Sequence, residues 1–464
     1  MAIPKISFGH RLKQFSLGIA CLLIPLSEAF ALPVVPGAAG FGMDTPAGRG
    51  GAIYRVTNLN DSGSGSLKEC IDGAGARVCV FEVSGTIHLS EKLKIRNPYL
   101  TIAGQTAPSP GITIRGAGLK VMANHVLIQH LRFRTGDDPD GPDPDRRNPI
   151  GIAHPDNDLT DIVIDHNSFS WSIDQLANTW LDAGDVTFRA NIFSEALDDS
   201  LHSKGAHSKG PLFGPSSKTR ITMVDNLFAH AAERNPLSRV AELVFVNNVV
   251  YNWKYKGTDL QGDDGIVTLN SLVGNYYKAG VDTSGSAIKM RGRGSSLDMT
   301  PGSKVYVEDN ITPSYDGQDP WSAVDIGSSL DSTYKASSPP TWNSGLNARS
   351  SSEAFDWVVA NAGARPADRD SVDQRIADEV VNGKGHIIDS QSEVGGWPDL
   401  AKNQRILSLP SNPGGDSDGD GYTNLEEWLH EYAAKVEGRS TTDDGTTTTD
   451  EPAAPNPPTN ITVQ

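Results

Sequence analysis

Apolar and polar positions recur along this chain in eight-residue segments that share one asparagine register. Ile162 to Phe169, Val186 to Phe193, Ile221 to Phe228 and Leu243 to Val250 each open on alternating or continuous apolar residues, reach an asparagine at the sixth position and soon return to an apolar residue. These asparagines are Asn167, Asn191, Asn226 and Asn248, and looser copies from Asn270 to Tyr277 and Val305 to Thr312 add Asn275 and Asn310. Successive members lie 24, 35, 22, 27 and 35 residues apart. Short strands returning at such intervals predict a solenoid whose coils bury their faces only against neighbours. Unequal intervals predict loops of different length on a constant coil. Asparagine is expected at the corner, because it tolerates left-handed backbone and hydrogen-bonds locally. Stacked in register, its amides can satisfy one another. The expected fold is all-β, a right-handed parallel β-helix. Leucine-rich and propeller repeats fit less well, since their Leu/Asn and Trp-Asp signatures are missing. Leu100 to Ala103, Ile112 to Arg115 and Val126 to Phe133 carry the same coil pattern without the asparagine.

Outside the coils the chain divides into blocks. Residues 1–31 read as a secretory leader: Lys5, Arg11 and Lys13, an apolar stretch from Phe15 to Leu26, then Ala29-Phe30-Ala31. The apolar stretch is too short to span a membrane, which takes about 20 residues. With the leader removed, Cys70 and Cys79 remain, and two cysteines in an exported protein are expected to pair, two buried free thiols being the alternative. The bridge would join a short helix from Ser66 to Ile71, capping the N-terminal end of the solenoid, to the strand from Val78 to Val83. The solenoid domain is expected over 32–409. From Asp316 to about Pro366 apolar periodicity fades into Ser/Pro/Gly-rich sequence expected to wrap the C-terminal coils, with helix near Glu353 to Ala360 and again from Asp368 to Asn382.

Residues 410–437 hold a second, local motif. Asp416, Asp418, Asp420, Tyr422, Asn424 and Glu427 occupy the ligand positions of a twelve-residue calcium loop, with Gly421 at its sixth place. Glu426 to Lys435 suits the exiting helix, whereas Pro410 to Gly415 cannot form an entering one. The loop is expected to be a separate structural calcium site beyond the solenoid. Residues 438–464 read as a flexible Thr/Asp/Pro-rich linker. Pro458 to Gln464 resembles the first strand of a further module, so a longer natural protein is expected.

Charge then singles out one region. The formal net charge is −17, and the chain from Pro410 onward carries eleven acidic against two basic residues. Between Ser200 and Lys256 the balance reverses: Lys204, Lys209, Lys218, Arg220, Arg234, Arg239, Lys254 and Lys256 face only Asp225, Glu233 and Glu242. A basic groove in an acidic protein implies an anionic ligand, although most charge clusters are solvated faces. Nucleic acid is not the expected partner.

Several motifs, in order, resemble one family. Gly40-Phe41-Gly42, Gly48-Arg49-Gly50-Gly51, Val56-Thr57-Asn58-Leu59, Gly65-Ser66-Leu67 and Thr101-Ile102-Ala103-Gly104-Gln105-Thr106 look like the opening of the pectate lyases of polysaccharide lyase family 1. Ile164-Asp165-His166 resembles that family's structural aspartate-histidine motif, the segment from His207 through Lys209 and Leu212 to Gly214 its substrate-lysine motif, and Arg234-x-Pro236-x-x-Arg239 its catalytic motif. The resemblance covers roughly Gly40 to Asp316. It implies a secreted, extracellular or periplasmic, monomeric enzyme that cleaves polygalacturonate by calcium-assisted β-elimination. Arg234 would abstract the C5 proton, and Lys209 and Arg239 would grip uronate carboxylates. Asp174 aligns with a calcium carboxylate, but Asn178 and Asn148 stand where the family has acidic ligands, with Asp145 nearby. Either Asp145 substitutes, or substrate carboxylates complete the shell, or the groove binds calcium weakly. Two other classes stay open: a β-helix hydrolase using a carboxylate pair, for which Asp198-Asp199 and Asp263-Asp264 are the candidates, and a non-catalytic pectin-binding protein.

Overall fold

The computed structural model describes residues 1, 32–156, 158–263, 265–291, 298–328 and 330–439; the leader at 2–31, the linker from 440 and Asp264 lie outside them. Short strands stack in parallel register through the chain. One ladder runs through Ala52–Val56, Arg77–Phe81, Leu100–Ala103, Val126–Gln129, Ile162–Asp165 and Asp185–Arg189. A second runs through Leu93–Ile95, Leu119–Val121, Ile150–Ile152 and Ala177–Thr179. Both continue into the long strands Leu212–Val224 and Leu237–Val246, each of which serves the two ladders with an irregular register between. A third, from Gly85–His88 to Tyr276–Lys278, forms a separate eight-stranded sheet. The architecture is a parallel β-helix.

Apolar side chains fill the coil interior, where Phe133, Phe169, Phe193 and Phe228 stack at centroid spacings of 5.1, 5.1 and 5.2 Å. The asparagine register forms a continuous ladder. Each Oδ1 accepts from the backbone N–H and the side-chain amide of the asparagine one coil earlier, as between Asn167 and Asn191 (2.8 and 3.3 Å) and onward to Asn310. The left-handed residue of the corner is the one before each asparagine: His166, Ala190, Asp225, Asn247, Gly274 and Asp309. Asparagine is therefore selected here for its amide and not, as its turn chemistry suggests, for its backbone. Val126 to Phe133 is two strands, bent at left-handed His130. The ladder ends there, with Leu131 N–H donating to Asn167 Oδ1 at 3.1 Å. Asn226→Ala would orphan the buried Asn191 N–H and take the side-chain donor away from the carbonyls of Phe188 and Val224. At roughly 1–3 kcal/mol per unsatisfied buried group, a marked fall in denaturant midpoint is expected, whereas a surface Asn→Ala should leave it unchanged.

Helix α1 (Leu67–Asp72), N-capped by Ser66, is tied to the Arg77–Phe81 strand by a Cys70–Cys79 disulfide. The C-terminal third does not stop at the last coils. It returns along the third ladder to the first ones. Arg349 pairs with Asp225 at 2.7 Å, and α2 (Ser351–Asn361) and α3 (Ser371–Asn382) bury Val358, Ile376 and Val380 against Ile192, Leu227 and Val249. Asp373 receives the buried guanidinium of Arg134 at 2.5 Å and the Ser168 hydroxyl at 2.7 Å. Asn403 reaches Ser109, and Leu407 N–H reaches Glu82. Helix α4 (Asn424–Glu437) then docks Leu425 and Leu429 on Val78, Val80 and Ala103, while Glu426 pairs with Arg49. The expected wrap of the C-terminal coils is thus a strap along the solenoid, and the loop expected to lie beyond the solenoid leads into a helix seated on it.

Candidate functional site

Consecutive coils place the groove side chains one above another. Backbone bridges align Gln175 with Lys209 and Lys209 with Glu233, and Leu237 of the next strand lies beside Leu212. Gly210 makes room for the turn at Arg234: a Cβ there would lie 2.1 Å from the Arg234 carbonyl oxygen. Arg234 itself is left-handed at φ 68°, and the Asn235–Pro236 peptide is cis.

Arg234 makes no ion pair within 4 Å among the described residues. Its Nε is buried without a hydrogen-bond partner. Burial lowers its guanidinium from the usual range and Arg239 adds repulsion, while Glu233 and Asp174 pull the other way. Lys209 donates to Glu233 at 2.7 Å, and Lys256 reaches the other carboxylate oxygen at 3.2 Å and Asp259 at 2.9 Å. Burial alone would raise Glu233; the two lysines outweigh it and hold the carboxyl at about 2. Arg239 donates to Gln261 at 2.9 Å and faces Asp263 at 3.8 Å, and burial lowers its guanidinium. The basic island divides. Lys218 and Arg220 lie further along the strand on the first ladder and pair with Asp158, Asp182 and Asp185, so they do not join this groove.

The four groove residues read as calcium ligands do not form one oxygen shell. Asp174 accepts from the Gln175 amide and lies 3.3 Å from His207 Nε2. Asn178 donates to Gln175 Oε1 at 3.2 Å. Asp145 is held by Ser203, and the imidazole of His202 stands between it and Asp174, with Nδ1 3.5 Å from Asp145 and Nε2 3.8 Å from Asp174. The Lys92 ammonium donates to Asn148 Oδ1. Burial brings Lys92 down to about 8 against the attraction of Asp174. Calcium takes six to eight oxygen ligands with carboxylate charge. One carboxylate, two stacked imidazoles 3.8 Å apart and an ammonium do not fit it. Lys92, His202 and Glu233 were not legible as site residues: they carry no motif, and only coil stacking brings Lys92 to Asn148 from 56 residues away.

The tail loop has the opposite character. Carboxylate oxygens of Asp416, Asp418 and Asp420 lie within 4.8 Å of one another. Gly419 and Gly421 N–H donate to Asp416, Tyr422 N–H to Asp420, and Ser417 N–H to Asn424 Oδ1. Burial and repulsion from Asp418, Asp420 and Asp416 push Glu427 upward. This all-oxygen set fits calcium. Asp165 and His166 are interior: Asp165 receives Gln129 at 2.8 Å and Arg189 at 2.7 Å, and His166 lies beside His130. Of the paired carboxylates considered for hydrolysis, Asp198 accepts from Ser208 N–H and lies 3.7 Å from Lys254, and Asp199 N–H donates to Asp389.

No protein-family model matches the sequence. Among curated proteins, "Probable pectate lyase C" of Neosartorya fischeri is 33% identical over 441 residues, covering 90% of this chain and 98% of that one. Its namesake in Aspergillus oryzae is 33% identical over 413 residues, covering 87% and 88%. A solved pectate lyase bound to a hexasaccharide has a TM-score of 0.48 at 14% identity, covering 72% of this chain and 99% of that one. With a third of positions shared along nearly the full length of both proteins, the chain belongs to the pectate lyase family of polysaccharide lyases.

Proposed function

We propose that the protein is a secreted, monomeric pectate lyase that cleaves polygalacturonate by β-elimination, with Arg234 as the base. The observation carrying this reading is a buried guanidinium, its Nε unpartnered and its basicity lowered, amid Lys209, Lys256 and Arg239. The C5–H bond breaks toward a deprotonated Arg234, its electron pair becomes the C4=C5 bond, and the C4–O bond to the neighbouring sugar breaks with its electron pair leaving on the oxygen, which takes a proton from water. The C5 proton is acidic enough only if the adjacent carboxylate is neutralised, which preorganised cations accomplish in a site of low dielectric. Lys209 and Lys256 can exchange Glu233 for a uronate carboxylate, and Arg239 can hold a second. Lys92 supplies positive charge beside Asp174 and Asn148, where the family resemblance implies calcium, and no step is routed through a groove metal. Product mass tests the reading: each cleavage should leave a fragment lighter by one water than the hydrolytic one. Fragments of hydrolytic mass would refute it.

Secretion is supported by the leader-like sequence and by the disulfide. Among the described residues no helix is long and apolar enough to cross a membrane. Calcium belongs, in this reading, to Asp416, Asp418, Asp420, the Tyr422 carbonyl, Asn424 and Glu427. Bound calcium would relieve the carboxylate repulsion, so it is expected to raise the melting temperature by several degrees. Asp420→Asn should shrink that rise and leave the groove chemistry unchanged, as paired thermal scans and rate assays would show.

A further inference from the structure

A second cluster of metal-competent side chains lies inside the molecule, at the contact between α4 and the solenoid. His130 and His166 occupy the same left-handed corner of consecutive coils, and their rings stack at 5.3 Å with planes 15° apart. Glu437, on the last turn of α4, faces both: Oε1 is 3.4 Å from His130 Nε2 and Oε2 is 3.7 Å from His166 Nε2. The two histidines are 0% and 1% exposed and the Glu437 side chain 5%.

The other ring nitrogens fix the tautomers. His130 Nδ1 lies 2.8 Å from the Ala364 carbonyl oxygen, and His166 Nδ1 lies 3.0 Å from Asp165 Oδ1. The Ala364 carbonyl only accepts, so His130 Nδ1 carries the hydrogen; His166 Nδ1 also has the Arg189 guanidinium at 3.4 Å, but the closer Asp165 carboxylate takes the hydrogen from it. In the neutral rings, the Nε2 lone pairs then face a carboxylate across a buried gap, and His130 Nε2 has no hydrogen-bond partner. Lone pairs directed at an anion repel unless a cation lies between them.

We propose that His130, His166 and Glu437 hold a divalent transition-metal ion of the zinc class that fastens α4 to the first coils. Two imidazole nitrogens and a carboxylate are a borderline-soft donor set, suited to zinc and not to calcium or magnesium. Zinc bonds of about 2.0–2.2 Å place neighbouring ligand atoms a little over 3 Å apart, so the observed gaps need only small adjustment. Asp165 behind His166 and a backbone carbonyl behind His130 are the outer partners that metal-bound histidines commonly have. Arg439, 2.7 Å from Glu437 Oε2, orients the carboxylate in the same way. This site is separate from the groove and from the acidic loop, and its effect is on stability.

The test is metal analysis of the full-length protein, purified without chelator or immobilised metal, together with thermal scans. About one zinc-class ion per chain is expected, falling well below that in Glu437→Gln and in His166→Ala. His207→Ala and Asp420→Asn should keep it. In Asp420→Asn, where the acidic loop is weakened, a zinc-selective chelator should lower the melting temperature, and zinc but not calcium should restore it. Should the site variants fail to fold, cobalt-loaded wild type supplies the readout, through the visible absorption of an ion ligated by two imidazole nitrogens and a carboxylate. No bound transition metal and no zinc-dependent melting shift would overturn the proposal, leaving protons on Nε2 to hold Glu437. Full metal content in both Glu437→Gln and His166→Ala would also overturn it.

Discussion

Arg234→Lys is expected to lower the elimination rate by on the order of 10²–10⁴-fold, the range a positioned general base contributes, with little change in polymer affinity. Lysine keeps the charge but loses the planar fork and its reach. The substitution therefore separates a base from an electrostatic clamp. A clamp would tolerate it, and a fully active variant would remove Arg234 from the chemistry. The pH profile adds a signed check. A guanidine accepts a proton only when deprotonated, and burial lowers its affinity for the resident proton. The wild-type rate should therefore climb with pH from the neutral range until Lys92, brought down to about 8 by burial, loses its charge, and the residual activity of Arg234→Lys should lose that rising limb. Arg239→Ala, which removes a cation facing Asp263, should weaken polymer binding as well as turnover.

Deleting the chain from Gly414 onward is expected to destabilise the whole enzyme. The sequence alone suggests that this segment is dispensable for catalysis, since it follows the last coil. The fold reverses that expectation. Without α4, Val78, Val80 and Ala103 lose Leu425 and Leu429 and the partial cover of Trp428 and Tyr432. Two buried leucines at roughly 1.5–3 kcal/mol each, plus the aromatics, amount to on the order of 5 kcal/mol. A protein's total stability is only about 5–15 kcal/mol. Glu437 is removed with them, leaving His130 and His166 facing a void. The truncated protein should precipitate or melt far below the full chain in a thermal scan. Unchanged melting would show that the strap carries no weight.

What could be read from the sequence follows from what repeats in it. The asparagines were legible because every coil asks for the same amide at the same depth. The left-handed residue before each one was not, since His166, Ala190, Asp225, Asn247, Gly274 and Asp309 share no side-chain chemistry. Helices α2 and α3 were legible from local composition, but their destination was not. The strap is fixed by single long-range pairs, such as Asp373 with Arg134 across 239 residues. In the groove, Lys209, Arg234 and Arg239 stood out through one short stretch of spacing. Lys92 and His202 arrive from loops of other coils, where stacking and not spacing decides who meets. The same stacking explains why Lys218 and Arg220, near neighbours in sequence, point their charge elsewhere.

The central claim is that this groove drives elimination with its own cations. The most direct test follows ultraviolet absorbance of the C4–C5 unsaturated product during incubation with polygalacturonate. It would be run with and without a calcium-selective chelator, at a temperature where circular dichroism shows the fold intact. Absorbance should rise in step with reducing ends and survive chelation. Reducing ends without absorbance would contradict elimination, and absorbance abolished by the chelator and restored by calcium would contradict a groove that works through Lys92, Lys209, Lys256 and Arg239.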